Sequence, residues 1–170
     1  KIHAISVSPD QSNAVALVLK DESYAKLFHI DLKRLERPVE CFKARQDQVF
    51  GWSKLEYSPS GTYFSLFGGN FTYGHVSVHN SSDGSFMWMN DTSHFRFQVS
   101  ADFSPDETIL ATPSIDATVR LWDVKTGKEI STPLEHDGGL WQAVFSPDQT
   151  KLVVVSDVND IWVWSLSKGT

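Results

Sequence analysis

The tripeptide Ser-Pro-Asp recurs along the chain and constrains its fold more than any other feature. It begins at Ser8, Ser104 and Ser146, and Ser-Pro-Ser replaces it at Ser58, so successive copies are 50, 46 and 42 residues apart. Proline at the second position of a turn fixes its φ angle, while serine and aspartate side chains bond to the local backbone. A turn that returns about every 45 residues is typical of a chain built from structural repeats.

Each copy of this turn lies between segments that are typical of β-strands. The segments before it are AISV, KLEY, SADF and QAVF, and those after it are AVALVL, TYFSLF, TILAT and KLVVV. A third set then follows (AKLFHI, HVSVHN, TVRLWD and DIWVWS), and the first three copies add a fourth segment (PVECF, SFMWM and KEISTPL). Branched and aromatic residues fill these segments, and no long stretch has helical spacing. The sequence therefore predicts an all-β protein with four strands per repeat, whose sheets stack to bury their apolar faces.

The third repeat carries the most specific signature. Val119-Arg-Leu-Trp-Asp123 is followed by Val-Lys-Thr-Gly, and FSPD begins sixteen residues before it. This arrangement resembles the WD40 repeat of β-propellers, and the resemblance covers essentially the whole chain, although copies one and two are degenerate. It implies about four four-stranded antiparallel blades, at approximately residues 1–44, 45–92, 93–135 and 136–170, the last without its outer strand. It also implies a larger ring of seven or eight blades, with a four-bladed ring or two associating half-rings as alternatives.

A histidine, a hydroxyl and an aspartate fall close together in the third repeat, as they would in a hydrolase. By position, however, His94, Thr112, Asp116 and Trp122 match the buried hydrogen-bonded tetrad of WD40 repeats. The resemblance implies a chain from the Trp122 indole to the Thr112 hydroxyl, then to His94 and to Asp116. An indole can only donate a hydrogen bond, a carboxylate can only accept one, and a hydroxyl or an imidazole can do either. Every polar group in such a chain can therefore have a hydrogen-bond partner. We therefore expect a structural role and no catalytic residue, because a nucleophile must be exposed.

The other histidines give weaker signals. The fourth repeat keeps His136 and Trp164 as a partial tetrad, but valines stand where the hydroxyl and the carboxylate belong. His75 and His79 are four residues apart on a predicted strand and therefore about 13 Å apart, too far to share a metal ion. We expect them to be ordinary surface or sheet residues, and we expect no metal and no cofactor.

Composition narrows the class of partner. The net charge of −6 disfavours a phosphate-binding surface, so no nucleic-acid partner is expected. No apolar run approaches the roughly 20 residues that a membrane-spanning helix needs, so no membrane association is expected. Cys41 is the only cysteine and favours an intracellular location, cytoplasmic or nuclear. Three Asn-X-Ser/Thr triplets, at Asn70, Asn80 and Asn90, leave a secreted, glycosylated protein as the alternative.

The resemblance implies a rigid platform that binds protein segments on the rim of the propeller. The rim positions of the family carry over to Phe97, Val99 and Ile115 in the third blade and to Gly139, Trp141 and Asp157 in the fourth. Phe71 and Tyr73, in the glycine-rich loop 68–74, are a further candidate contact. The predicted function is a non-catalytic protein–protein interaction scaffold in a larger protein or assembly, completed by further blades from the same chain or another. The alternative is a regulatory or sensor array attached to a signalling enzyme, such as a nucleotide-dependent signalling protein or a protein kinase.

Overall fold

The computed structural model of the protein describes residues 2–19, 24–34, 37–45, 54–69, 72, 74–96 and 98–166. Within these ranges the regular structure is β-strand. The first two sheets contain β1 (Ile2–Val7), β2 (Asn13–Leu19), β3 (Tyr24–Asp31) and β4 (Val39–Arg45), then β5 (Lys54–Tyr57), β6 (Tyr63–Gly69), β7 (Gly74–Asn80) and β8 (Phe86–His94). The others contain β9 (Asp102–Phe103), β10 (Ile109–Pro113), β11 (Thr118–Asp123) and β12 (Leu134–Glu135), then β13 (Leu140–Phe145), β14 (Lys151–Ser156) and β15 (Ile161–Ser165).

The strands pair in sequence order within each sheet, and every pairing is antiparallel. Three sheets have four strands and the last has three, which confirms the predicted all-β fold of WD40-type propeller blades. We number these sheets as blades one to four. The exact blade boundaries given above stay a prediction.

The outer strand of the third blade is shorter than predicted. The segment KEISTPL was expected to form it, but β12 contains only Leu134 and Glu135, and Glu129 forms an isolated bridge with Trp122. Pro133 has no N–H to donate to a ladder, which accounts for the late start of the strand. The ion pair between Arg120 and Glu129, at 2.8 Å, nonetheless holds this segment against β11.

The three Ser-Pro-Asp turns and the Ser-Pro-Ser turn of blade two have the same backbone hydrogen bonds. In the first, the Gln11 N–H donates to the Ser8 carbonyl at 2.9 Å, and the Ser8 N–H donates to the Asn13 carbonyl at 2.9 Å. The residue after each tripeptide then adopts a left-handed conformation, with φ between 58° and 80°; these residues are Gln11, Gly61, Glu107 and Gln149. This left-handed residue lets a tight turn join two strands whose natural twist is right-handed.

Three apolar clusters hold neighbouring blades together. Blades one and two share Val15, Leu17, Ala25, Leu27, Phe64 and Leu66. Blades two and three share a cluster that includes Phe67, Val78, Trp88, Phe103, Leu110 and Trp122. Blades three and four share one that includes Ala111, Leu121, Phe145, Leu152 and Val154. Most of the core therefore lies between blades, so each blade depends on its neighbour to bury one face.

Gly127 tests how tightly blades two and three are joined. It has a φ of +67°, and a Cβ atom at this position would lie 2.6 Å from Cδ2 of Trp88. The Trp88 indole is itself fixed, because it donates to the Val124 carbonyl at 2.7 Å. We expect Gly127→Ala to lower the free energy of unfolding by about 2 kcal/mol, through backbone strain and overpacking. Urea denaturation measures this change, and exposed Lys128→Ala is the neighbouring control; equal stability of the two variants would contradict the packing shown here.

Candidate functional site

The predicted tetrad residues lie in one hydrogen-bonded chain in the third blade. The Trp122 Nε1–H donates to Thr112 Oγ1 at 2.8 Å, and Thr112 Oγ1 lies 3.1 Å from His94 Nε2. His94 Nδ1 lies 2.9 Å from Asp116 Oδ2. One arrangement of protons satisfies all three contacts: His94 donates from Nδ1 to the carboxylate and accepts at Nε2 from the Thr112 hydroxyl.

Asp116 ends this chain and also organises the turn between β10 and β11. Its Oδ2 accepts from the Phe95 N–H at 3.0 Å, and its Oδ1 accepts from the N–H and hydroxyl of Thr118 at 3.0 and 2.6 Å. Burial on its own would raise the pKa of this carboxyl group. The hydrogen bonds from His94 and Thr118 outweigh that effect and lower the pKa to about 2. Asp116 is therefore a carboxylate at neutral pH.

The geometry of Thr112 does not suit a nucleophile. Its side chain is fully buried within β10, and its oxygen already accepts from the Trp122 indole. A nucleophile needs an open approach for a substrate and a lone pair that points to it. The arrangement can hold three strands together, and it presents no hydroxyl to a ligand.

His94 lies on a different sheet from its partners. His94 precedes β9, the first strand of blade three, as the tetrad pattern implies, and it is also the last residue of β8, where it pairs with Gly74 of blade two. Its imidazole then reaches across to Thr112 and Asp116. The tetrad therefore joins two blades as well as bracing one.

The partial tetrad of blade four makes a shorter connection. The Trp164 Nε1–H donates directly to His136 Nε2 at 3.0 Å, and His136 Nδ1 lies 3.0 Å from the Leu134 carbonyl oxygen. Val154 is buried at the position that Thr112 has in blade three. Burial lowers the pKa of His136, which suits a neutral imidazole that accepts from the indole.

The predicted rim residues of blades three and four lie where strands end. Ile115 lies in the β10–β11 turn, and a Cβ atom on Gly139 would lie 3.3 Å from its Cγ2 and 2.9 Å from the Asp157 carboxylate. The Asp157 N–H donates to the Gly139 carbonyl at 2.8 Å, so these three positions are direct neighbours. Trp141, two residues further on, is 53% exposed. Val99 is half-buried, and its carbonyl accepts from Lys54 Nζ at 3.2 Å.

The remaining candidates divide into two groups. Phe71, Tyr73 and Phe97 lie outside the described residues. His75 and His79 are sheet residues of β7, and both are buried, so the surface alternative for them is wrong.

In the described part of the chain, no group of three or more His, Cys, Asp or Glu side chains could hold a metal ion. No helix among the described residues is both long enough and apolar enough to span a bilayer.

Contacts between successive Ser-Pro-Asp turns were not foreseen from the sequence. Glu107 Oε1 accepts from the Ser60 N–H of the preceding turn at 2.7 Å. The side-chain amide of Gln149 is oriented with its oxygen toward the backbone of Asp106 and its nitrogen toward the carboxylate. In this orientation the oxygen accepts from the Asp106 N–H at 3.0 Å, and the nitrogen donates to Asp106 Oδ2 at 2.8 Å. The left-handed residue of one blade therefore binds the turn of the blade before it. Sequence alone does not reveal this contact, since glutamate and glutamine in a turn are ordinarily solvated.

Comparison with known proteins agrees with this geometry. Residues 91–123 match the family described as WD domain, G-beta repeat. The chain is 37% identical over 89 residues to Superkiller complex protein 8 of Dictyostelium discoideum, covering 52% of this chain and 29% of that protein. It is 35% identical over 77 residues to WD repeat-containing protein 1 of Mus musculus, covering 44% and 13%. It is 43% identical over 56 residues to eukaryotic translation initiation factor 3 subunit I of Phaeosphaeria nodorum, covering 33% and 17%.

The matched region contains the tetrad and the Trp-Asp signature of the third blade. The matches span less than a third of the length of each of these relatives. Four successive antiparallel blades, a complete tetrad and these sequence matches together show that the chain belongs to the WD40-repeat family.

Proposed function

We propose that this chain is a non-catalytic platform for protein–protein interaction, and that it contacts partners through the rim at Val99, Ile115, Gly139, Trp141 and Asp157. The observation that carries the proposal is the exposure of Trp141, 53%, beside a turn whose backbone is fixed by hydrogen bonds. A large amphipathic ring on a rigid support is typical of the residues that dominate binding energy at interfaces. The names of two relatives, a Superkiller complex protein and a translation initiation factor subunit, are those of components of assemblies.

Further blades are part of the same proposal. Ile5 of β1 is 61% exposed and Ile161 of β15 is 68% exposed, so the outward sheet faces of blades one and four are apolar. Each internal blade interface buries an apolar face of this kind. We propose that blades from the same longer chain or from another chain cover these faces in a ring of seven or eight, because uncovered apolar faces favour association.

An intracellular location, cytoplasmic or nuclear, completes the proposal. Similarity to a translation initiation factor subunit supports it. The single Cys41 supports it too, since a chain with one cysteine cannot form an internal disulfide. Burial raises the pKa of its thiol to about 11, which keeps it protonated and unreactive at neutral pH.

Replacing Trp141 tests the rim. Trp141→Ala is expected to weaken binding of rim partners at least tenfold, because truncating a central aromatic contact commonly has an effect of that size. The measurement is quantitative affinity capture from cell extract with the wild-type protein and the variant as baits. Ile130→Ala is the control, since Ile130 is 46% exposed and lies in the β11–β12 connection. If the wild type and Trp141→Ala captured the same partners in the same amounts, the rim would not be the binding surface.

A further inference from the structure

A polar cleft of about 370 Å³ lies between the Ser-Pro-Asp turn of blade one and the corresponding turn of blade two. Its walls include Asp10 and Ser12 from the first turn and Ser60, Gly61 and Thr62 from the second. These turns join the first two strands of each blade. In blade three the corresponding turn lies at the opposite end of β10 from Ile115. The cleft is therefore separate from the rim proposed above.

At the next two blade interfaces a side chain of the protein itself joins the corresponding turns. Glu107 does so between blades two and three, and Gln149 does so between blades three and four. The corresponding residue of blade two is Gly61, which has the same left-handed conformation, with a φ of +80°. Having no side chain, Gly61 leaves the turn of blade one without the contact that its counterparts make. The cleft is bounded by Gly61 and by the turn of blade one, where a Cβ atom on Gly61 would lie 3.2 Å from Cδ of Pro9.

The turn of blade one presents the same groups as the turn that binds Gln149. Asp10 Oδ1 accepts from the Ser8 hydroxyl at 2.7 Å and from the N–H and hydroxyl of Ser12 at 3.0 and 2.7 Å. Asp106 Oδ1 accepts from the Ser104 hydroxyl at 2.7 Å and from the N–H and hydroxyl of Thr108 at 3.1 and 2.8 Å. The two carboxylates are therefore held in the same way. Lys33 Nζ lies 3.8 Å from Asp10 Oδ2, a loose contact between two exposed groups.

The pairs that do form show which chemistry fits. The carboxamide of Gln149 faces the aspartate Asp106, to which it both donates and accepts, whereas the carboxylate of Glu107 faces Ser60, which has no charge. A carboxylate placed beside Asp10 would meet a like charge, while a carboxamide can donate to it. We propose that the cleft between blades one and two binds a glutamine side chain of a protein partner, in the manner of Gln149 on Asp106. This inference rests on the proposed role of the chain in binding proteins, but it concerns a different edge of the blades.

Titration of the ¹⁵N-labelled chain with N-acetyl-glutamine N-methylamide tests the cleft by NMR. We expect saturable shifts of the amide signals of Asp10, Ser12 and Gly61, with a dissociation constant in the millimolar range, because one solvent-accessible amide contact is weak. The blocked glutamate and methionine analogues are the matched probes, and both should shift these signals at least fivefold less. Absence of saturable shifts, or equal shifts with the methionine probe, would overturn the proposal.

Two variants locate the effect. Gly61→Gln should place its own carboxamide in the cleft and abolish the shifts. Gln11 and Gln149 adopt a similar left-handed conformation, but the new Cβ atom would lie 3.2 Å from Cδ of Pro9, so that ring must move by a few tenths of an ångström. Asp10→Ala should also abolish them by removing the acceptor, and we expect the variant to keep its fold because the Asp10 side chain is exposed. Shifts that persist in both variants would contradict the assignment. Neither variant changes the rim, so the Trp141 experiment can fail or succeed independently of this one.

Discussion

Replacing Asp116 by alanine is expected to lower the free energy of unfolding by about 2–3 kcal/mol. The substitution removes the acceptor for the His94 imidazole, for the Phe95 N–H and for the N–H and hydroxyl of Thr118. His94 is fully buried, so its Nδ1–H would keep only the Thr118 hydroxyl as a partner, at 3.2 Å, and that hydroxyl would itself have lost the acceptor that it has in Asp116. Urea denaturation monitored by tryptophan fluorescence measures the loss.

Asp148→Ala is the matched control for this experiment. Asp148 accepts three bonds where Asp116 accepts four: one comes from the Ser146 hydroxyl and two come from the N–H and hydroxyl of Thr150. Its pKa is likewise lowered to about 2. Its carboxylate is exposed, however, so water can replace it for each donor, and a much smaller loss is expected. Equal losses for the two variants would show that the buried tetrad contributes no more than an exposed turn.

A second large effect is expected from pH, through His79. This imidazole is buried between Phe42, Phe64 and Phe86, and stacks on Phe64 at a ring-centroid distance of 4.9 Å. Burial lowers its pKa from 6.5 to about 4. Between these values the unfolded chain binds a proton that the folded chain excludes. The free energy of unfolding is therefore highest above pH 6.5, where His79 is neutral in both states. It decreases by about 3 kcal/mol as the pH falls from 6.5 to 4.

Urea denaturation at a series of pH values between 7 and 4 measures this slope. His79→Leu removes the titrating group at similar volume and should flatten most of the dependence, while the lowered pKa of His136 leaves a residual slope. The variant also loses the contact between His79 Nε2 and the Ser77 hydroxyl, at 3.0 Å, so its stability at pH 7 should fall. A wild-type slope that His79→Leu leaves unchanged would contradict this role. Asp116 acts in a separate window, since the contribution of a carboxylate with a lowered pKa is lost only between pH 3.8 and about 2.

The turns and the tetrad could be predicted because each depends on residues at fixed spacing. Ser104 and Asp106 bond to the backbone of their own turn, and the contact between Asp116 and His94 follows from the family pattern. Other features depend on contacts between blades, which spacing does not contain. The burial of His79 results from aromatic residues on three different strands, two of them in blade two and one in blade one. The Gln149–Asp106 pair joins residues 43 positions apart through the relative placement of two sheets.

The position of His94 at the end of β8 affects how the chain opens. Its backbone pairs with Gly74 in blade two, while its imidazole is bound inside blade three. Neither sheet can release this residue without breaking bonds of the other, so the two should open as one cooperative unit. In native-state hydrogen exchange, the amides of β7, β8, β10 and β11 are then expected to share one opening free energy. A circular permutant cut just after His94 would divide that unit, although the cut falls between two sheets.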